Sequence, residues 1–203
     1  MTAVVDYGVG NLFSLSGSLK AIGAESIITS DPEVLSRADR IILPGVGAFA
    51  DAAERLRATG LVPLLCEQAK SGKPMLGICL GMQLLFDKSF EYGEHDGLGL
   101  IPGEVRPLTE SLPSGTKVPH MGWNSLSFPK ESPLFKYVSE GESVYYVHSY
   151  YAVNCTPDTV AVSDYCGVSV TGAVQRGKVF GTQFHPEKSG KTGLAILKAF
   201  TEV

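Results

Sequence analysis

Short apolar runs alternate with amphipathic stretches through the first half of the chain. The apolar runs have the length and composition of strands and cover residues 3–6, 26–29, 40–43 and 73–79. Apolar residues recur at helical spacing between and after them, at residues 8–22, 50–58, 61–69 and up to about residue 86. Nearly continuous apolar strands separated by helices are typical of a parallel sheet covered on both faces. The pattern therefore predicts an α/β fold with an open, mostly parallel, flavodoxin-like sheet.

The second half of the chain, from about residue 98 to residue 181, is richer in strand patterns. Candidate strands lie at residues 118–126, 143–152, 159–164 and 169–175, before a strand at 178–184 and a last helix at 192–200. We interpret the four candidates as antiparallel extensions and hairpins on the same sheet. No repeat or low-complexity linker divides the 203 residues, which are enough for one substantial core. We expect a single domain over residues 1–203.

Charge and hydropathy narrow the function classes. The formal net charge is −4 and basic residues form no run, so we expect no nucleic-acid partner. No apolar run reaches the length of a membrane span, and the N-terminus lacks a basic segment followed by an apolar one. We therefore expect a cytoplasmic protein without a membrane partner.

The four cysteines are widely spaced and include no Cys-x-x-Cys pair. This spacing fits a reducing compartment and excludes the common zinc patterns. No spacing of His, Cys, Asp and Glu supplies the several ligands that a metal site needs, so we expect no metal. We also expect no cofactor. Cys66, Cys155 and Cys166 lie in or near apolar patterns and are typical of structural residues. Cys79 has a different setting.

Cys79 lies in the run Gly-Ile-Cys-Leu-Gly at residues 77–81, where a short strand turns directly into a helix. Glycines two residues to either side allow the cysteine to occupy a tight, strained turn. The first amides of the helix would favour the thiolate, and the amide of Leu80 would point at the oxyanion formed when a carbonyl is attacked. The alternative is a buried cysteine in a glycine-rich turn, so the motif needs a base before it indicates a nucleophile.

A candidate base follows the strand at residues 178–184, in the sequence His185-Pro186-Glu187. Pro186 keeps the tripeptide extended, and in an extended chain residues i and i+2 share a side, so Glu187 can reach the His185 ring. Cys79, His185 and Glu187 then have the composition of a nucleophile–base–acid triad. An ordinary cap between strand and helix is the alternative for this tripeptide taken alone.

Four turns of the predicted fold meet at one edge of the sheet. Residues 6–11, residues 44–47, Cys79 and His185 each follow a predicted parallel strand. Ligands bind outside the carboxyl ends of the strands in open α/β sheets. The coincidence of the four turns favours an active site at this edge.

These motifs resemble the class I, triad-type glutamine amidotransferases. Residues 77–83 and 185–187 carry the resemblance to the family as a whole. Four further segments are similar to one branch of the family, the glutaminase subunits of imidazole glycerol phosphate synthase. They are Asp-Tyr-Gly-Val-Gly-Asn-Leu at residues 6–12, Pro-Gly-Val-Gly-Ala-Phe at 44–49, Val-Pro-His-Met-Gly-Trp-Asn at 118–124 and Tyr-Val-His-Ser-Tyr at 146–150. The resemblance covers the chain from about residue 4 to residue 197.

The resemblance implies a class I glutamine amidotransferase fold and a cysteine thioester mechanism that releases ammonia from glutamine. It implies an oxyanion hole made by Leu80 with Val46 or Gly47, in a loop whose peptide could flip when the partner's substrate binds. Implied contacts to glutamine come from Gln83, Ser149, Tyr150 and Gly45.

The resemblance also implies a partner, a (β/α)8-barrel cyclase subunit that uses the ammonia to make imidazole glycerol phosphate and aminoimidazole carboxamide ribotide in histidine biosynthesis. Ammonium predominates in neutral water and is not a nucleophile, so ammonia must pass through a dry contact between the two subunits. The candidate residues for that contact are Pro119, Met121, Trp123, Tyr146 and Lys188.

Two other classes of function remain open from the sequence. Glutaminases that serve pyridoxal phosphate or GMP synthesis would share the cysteine turn and the His-x-Glu motif, but not residues 119–124. A non-catalytic scaffold on the same fold would have no need of Cys79, His185 and Glu187 together. Glutamine turnover measured with and without a cyclase barrel separates these cases.

Overall fold

The computed structural model describes all 203 residues, as a seven-stranded sheet, a four-stranded sheet and a two-stranded ladder. The strands are β1 (Thr2–Val5), β2 (Ser26–Thr29), β3 (Arg40–Gly45), β4 (Met75–Cys79), β5 (Lys88–Ser89), β6 (His95–Asp96), β7 (Glu104–Pro107), β8 (His120–Ser125), β9 (Ser143–His148), β10 (Tyr150–Val153), β11 (Thr159–Tyr165), β12 (Val168–Arg176) and β13 (Val179–Thr182). The α-helices are α1 (Leu12–Ala21), α2 (Pro32–Arg37), α3 (Phe49–Ala58), α4 (Val62–Lys70), α5 (Leu80–Leu84) and α6 (Gly190–Thr201).

The seven-stranded sheet confirms the predicted α/β class. Its order is β11-β12-β13-β4-β3-β1-β2, and the five strands from β13 to β2 pair in parallel. Counted along the chain, the parallel strands have the order 2-1-3-4-5 of flavodoxin-like folds. Strands β12 and β11 extend the sheet in antiparallel pairing.

Two layers of buried side chains cover the faces of the sheet, because successive strand residues point to opposite sides. On β3, Ile41 and Leu43 belong to one layer and Ile42 to the other. The first layer includes side chains of α3 and α4, and the second includes side chains of α1 and α6. The helices therefore flank the sheet on both sides, as the sequence predicted. No helix is long and apolar enough to cross a membrane.

The prediction that residues 118–126 and 143–152 extend the same sheet was wrong. Strands β8 and β9 form a separate antiparallel ladder, while β10 pairs with β7 in the four-stranded sheet. The predicted strand at 143–152 is interrupted at Ser149, which lies between β9 and β10. Strand β9 does not pair with the edge of the seven-stranded sheet; its inward side chains pack against β11 and β12. The hydroxyl of Tyr146, for example, contacts Ser163 and lies over Gly172.

Candidate active site

Cys79 occupies a strained turn between β4 and α5. Its backbone has φ 54° and ψ −111°, in the left-handed region that residues other than glycine rarely adopt. The flanking glycines allow the strand and the helix to touch: a Cβ on Gly77 would lie 2.6 Å from the Gly81 carbonyl oxygen, and one on Gly81 would overlap the Leu43 carbonyl. The sequence Gly-x-Cys-x-Gly therefore builds the sharp turn predicted for it, with Cys79 only 7% exposed.

His185 and Glu187 form a buried hydrogen-bonded pair after β13. The His185 Nδ1 lies 2.8 Å from Glu187 Oε1, and each side chain is 3% exposed. Burial alone would lower the pKa of His185, but the hydrogen bonds and charges of Cys79 and Glu187 outweigh it and raise that pKa to about 9. At neutral pH the imidazolium form is therefore favoured beside the Cys79 sulfur.

A pocket of about 350 Å³ opens over the cysteine turn. It brings together ten of the residues predicted from the sequence: Val46, Gly47, Cys79, Leu80, Gln83, Pro119, Ser149, Tyr150, His185 and Lys188. These residues come from separate strands and loops, and they meet because the carboxyl ends of β3, β4 and β13 lie side by side. The volume suits a free amino acid better than a peptide.

Of the five other predicted residues, Glu187 lies behind His185, Met121 and Trp123 are exposed on β8, and Gly45 and Tyr146 are buried. Gly45 is buried under the cysteine turn, where a Cβ would come within 2.6 Å of the Gly81 amide nitrogen, and it does not line the pocket. Its role is close packing of β3 against α5. Tyr146 is fully buried and hydrogen-bonded to Ser163, so it is a core residue and not a surface contact for a partner.

Gln83 is held at the pocket wall by two hydrogen bonds. Its side-chain nitrogen donates to the Tyr150 carbonyl and to the Gln183 side-chain oxygen, both at 3.0 Å. The same Tyr150 carbonyl accepts a bond of 2.9 Å from His148 Nδ1. These contacts fix the segment around Ser149 and Tyr150. Because both bonds of Gln83 use its side-chain nitrogen, its side-chain oxygen points away from Tyr150 and Gln183.

The sequence reasoning missed two residues of the site. Glu91 lines the pocket, and its carboxylate accepts a 2.7 Å hydrogen bond from the Phe49 amide. The Tyr7 phenol donates to the Pro44 carbonyl at 2.6 Å, which ties the start of the loop at residues 44–47 to the segment that follows β1. Burial, with a smaller effect of Cys79, raises the pKa of Tyr7. Glu91 stands in a polar stretch with no pattern of its own, whereas Tyr7 could have been found from its place in the motif at residues 6–12.

Several large apolar side chains on elements around the pocket are exposed. Met121 and Trp123 on β8 are 64% and 59% exposed, Val46 in the pocket wall is 40% exposed, and Phe13 on α1 is 90% exposed. Contiguous exposed apolar patches mark contact surfaces, whereas single exposed apolar side chains are common on any protein. Met121 and Trp123, two residues apart on β8, are therefore the strongest candidates for such a surface. No three His, Cys, Asp or Glu side chains are grouped in a way that could hold a metal ion.

Comparison with known proteins agrees with the triad geometry of the pocket. Residues 3–202 match the family model described as glutamine amidotransferase class-I. The chain belongs to the class-I glutamine amidotransferase family. It is similar to proteins named imidazole glycerol phosphate synthase subunit HisH: 54% identical to that of Bacillus cereus (strain G9842), covering all of this chain and 95% of the relative, and 48% identical to that of Wolinella succinogenes, covering all of both.

Solved structures agree at the level of the fold. PurLQS from Thermotoga maritima superposes with a TM-score of 0.76 at 22% identity, covering 99% of this chain and 97% of that one. A structure described as a glutamine amidotransferase gives a TM-score of 0.76 at 18% identity, covering 98% and 97%. At this identity the likeness shows the class I amidotransferase fold alone.

Proposed function

We propose that this protein hydrolyses glutamine to glutamate and ammonia at the pocket over Cys79, as the glutaminase subunit of an imidazole glycerol phosphate synthase. One observation supports the chemistry above all others: a strained cysteine shares the pocket with a buried imidazole that is itself bonded to a carboxylate. This is the arrangement of nucleophile, base and orienting acid that amide hydrolysis through a covalent intermediate requires. Residues 1–203 act as one domain in this proposal, supported by a family match over residues 3–202.

In the first step the Cys79 thiolate attacks the side-chain carbonyl carbon of glutamine. The amide of Leu80 and an amide of the loop at Val46 or Gly47 stabilise the tetrahedral oxyanion. The His185 imidazolium gives its proton to the leaving nitrogen, so ammonia departs and a γ-glutamyl thioester remains on Cys79. Glu187 holds the ring in the tautomer that transfers the proton and stabilises its charge.

In the second step water attacks the thioester. His185, now neutral, takes a proton from the water as it attacks, and the collapse of the second tetrahedral intermediate releases glutamate. Cys79 leaves as the thiolate and the imidazolium is restored. The pair therefore returns to its starting charge state without a cofactor.

The pocket walls supply contacts for the two charged ends of free glutamine. The Glu91 carboxylate would pair with the α-ammonium group, and the Gln83 side-chain oxygen would accept a second bond from it. Backbone groups of Ser149 and Tyr150, fixed by Gln83 and His148, would meet the α-carboxylate. Glu91 is added to the substrate contacts that the sequence predicted, and Gly45 is removed from them because it is buried under the cysteine turn.

The loop at residues 44–47 would control the second oxyanion donor. Gly47 has φ 91° with open space around its Cα, while Tyr7 anchors the loop at Pro44. A glycine in open space allows the peptide to flip without moving its neighbours. Gly47→Ala tests this idea, because a Cβ disfavours the observed φ without a clash; partner-stimulated turnover equal to wild type would remove the loop from the mechanism.

A cyclase barrel is the proposed partner, and the exposed side chains around the pocket are the proposed contact. Pro119 and Lys188 line the pocket mouth and are exposed, and Met121 and Trp123 follow on the outer side of β8. Phe13 joins this set from α1, and Tyr146 leaves it because it is buried. Apolar and aromatic groups at this position would exclude water while ammonia passes.

The experiment is a glutaminase assay with and without a purified cyclase barrel, on wild type and Cys79→Ala. We expect low turnover by the wild-type subunit alone, strong stimulation by the barrel, and none in the variant. High turnover without the barrel would contradict a gated, paired enzyme. Turnover by Cys79→Ala would contradict the assigned nucleophile.

A further inference from the structure

Gln183 lies beside the nucleophile but outside the pocket. It directly follows β13, is fully buried, and its side-chain nitrogen is 3.8 Å from the Cys79 sulfur, within range of an N–H···S hydrogen bond. It does not line the pocket, so it does not meet the substrate. We propose that Gln183 is a catalytic residue that stabilises the Cys79 thiolate through this bond. The inference rests on the proposed function only in taking Cys79 as the nucleophile.

The orientation of the Gln183 amide follows from a fixed acceptor elsewhere in the network. The Tyr150 backbone carbonyl can only accept, so the group of Gln83 that faces it must be the NH2. That same NH2 also faces the Gln183 side chain at 3.0 Å, which must present its oxygen there. The Gln183 NH2 is then left to face the sulfur. With the amide reversed, two NH2 groups would meet and an oxygen would face the thiolate.

Two buried histidines hold that carbonyl in place as neutral groups. His148 Nδ1 donates to the Tyr150 carbonyl, His120 Nδ1 is 2.9 Å from His148 Nε2, and Asn124 Nδ2 is 3.2 Å from His120 Nε2. Burial lowers the pKa of His148 to about 3 and that of His120 to about 4, so neither ring is charged near pH 7. Each ring therefore carries one donor and one acceptor, and all the bonds run in one direction from Asn124 to Tyr150.

A neutral donor on the sulfur has a use that His185 does not supply. The imidazolium of His185 must give up its proton during each turnover, whereas the Gln183 N–H cannot be transferred and remains in place throughout. Hydrogen bonds to a charged atom contribute more than those to a neutral one. Removing this bond therefore raises the energy of the thiolate relative to the thiol in every step where sulfur is free.

The test compares Gln183→Met with wild type, and with Thr182→Val as a matched control. Met has a similar volume and no donor; Thr182 is the neighbouring fully buried residue, whose hydroxyl has no partner in the protein. We expect the rate of Cys79 alkylation by iodoacetamide at pH 7 to fall about tenfold in Gln183→Met, which corresponds to ~1.4 kcal/mol, near the lower end for one hydrogen bond to a charged group. The difference should vanish at high pH, where the thiol is ionised in every protein, and Thr182→Val should match wild type.

Turnover in the complex with the cyclase barrel gives a second readout. Gln183 contacts the sulfur directly and can reach the substrate only through Gln83, so kcat should fall about tenfold and by more than KM for glutamine rises. Equal alkylation rates of Gln183→Met and wild type at pH 7 would overturn the inference. A loss of rate of the same size at every pH would also overturn it, because such a loss reports access to the sulfur and not the stability of the thiolate. Activity retained by Cys79→Ala would instead overturn the proposed function and with it the catalytic role of Gln183, and the alkylation comparison would still show whether Gln183 stabilises the thiolate.

A measurement on the wild-type protein covers the case in which Gln183→Met does not fold. The side-chain amide protons of Gln183, observed by ¹H–¹⁵N NMR, should move downfield as the Cys79 thiolate forms. The same resonances should not respond to pH in folded Cys79→Ala. A Gln183 amide that is insensitive to the state of the sulfur would overturn the inference.

Discussion

Replacement of Glu187 by Gln removes the charge that supports His185 while preserving the shape of the side chain. The two side chains are each 3% exposed and joined by a 2.8 Å hydrogen bond. A hydrogen bond to a charged group contributes about 1.5–3 kcal/mol and a neutral one about 0.5–1.5 kcal/mol. Losing the charge while keeping the bond therefore costs about 1–1.5 kcal/mol, or about a 5- to 13-fold loss in kcat/KM if the difference is expressed in the transition state. The second oxygen of Glu187 is buried without a partner, so an NH2 group in its place would be left unpaired.

The pH dependence gives this prediction a direction. The pKa of His185 is raised to about 9 by Cys79 and Glu187 against the opposing effect of burial, so the loss of Glu187 should lower it. Proton donation to the leaving amide nitrogen, which departs as ammonia, requires the imidazolium, and this form exists below that pKa. Glutaminase activity of the wild-type complex should therefore decline as pH rises through about 9, and in Glu187→Gln the decline should begin at lower pH.

The stability of the fold should change with the same sign. A raised pKa of His185 stabilises the folded state fully below the unfolded value of about 6.5, and this contribution is lost as pH rises through about 9. Glu187→Gln should therefore lower the free energy of unfolding more at pH 6 than at pH 10, as measured by urea titration. Glu54→Gln, on an exposed carboxylate of α3 that forms no ion pair, is the control for charge removal alone. Turnover of Glu187→Gln within threefold of wild type, with an unshifted alkaline limb, would refute the reasoning.

Three further predictions concern the turn, the loop and the surface. Gly81→Ala should lower the free energy of unfolding by about 3 kcal/mol or more, because its Cβ overlaps a backbone carbonyl of β3, whereas Gly17→Ala in open space on α1 should raise it by about 0.5–1 kcal/mol; urea titration measures both. Tyr7→Phe removes the bond that anchors the oxyanion loop and should cost about 1 kcal/mol of stability with altered basal glutaminase activity; an unchanged urea midpoint would contradict this. Trp123→Ala should weaken binding of the cyclase barrel by about 10- to 30-fold in calorimetry, since an exposed aromatic is an expected hot spot, while Tyr137→Ala, an exposed aromatic outside the pocket, should not.

The elements that the sequence predicted well are those whose patterns are local. Strands β1, β3 and β4 are buried on both faces, so their apolar runs are continuous and easily recognised. The His185–Glu187 pair was predicted from one proline and a spacing of two residues, and the hydrogen bond is present. The predicted extended conformation was wrong, because only His185 is extended and Pro186–Lys188 form a 3-10 helix. The cysteine turn follows from two glycines, because a larger residue would clash with the backbone at Gly81 and, less severely, at Gly77.

The features that it missed depend on contacts between distant segments. Tyr146 and Trp123 lie on paired strands with similar aromatic composition, yet one is fully buried and the other 59% exposed, because only the packing of β9 against β11 and β12 decides which side faces inward. Glu91 reaches the pocket from a polar loop through its bond to Phe49, 42 residues away. The bond from Gln183 to Cys79 joins residues 104 positions apart, and no periodic pattern in the sequence predicts it.

The most direct test of the assigned chemistry is to trap the covalent intermediate. The complex with the cyclase barrel is mixed with glutamine, quenched with acid during turnover, digested and analysed by mass spectrometry. We expect a γ-glutamyl group on the peptide that contains Cys79, absent without glutamine and absent in Cys79→Ala. Steady glutamate release with no adduct on Cys79, or with the adduct on another residue, would contradict the role of Cys79 as the nucleophile.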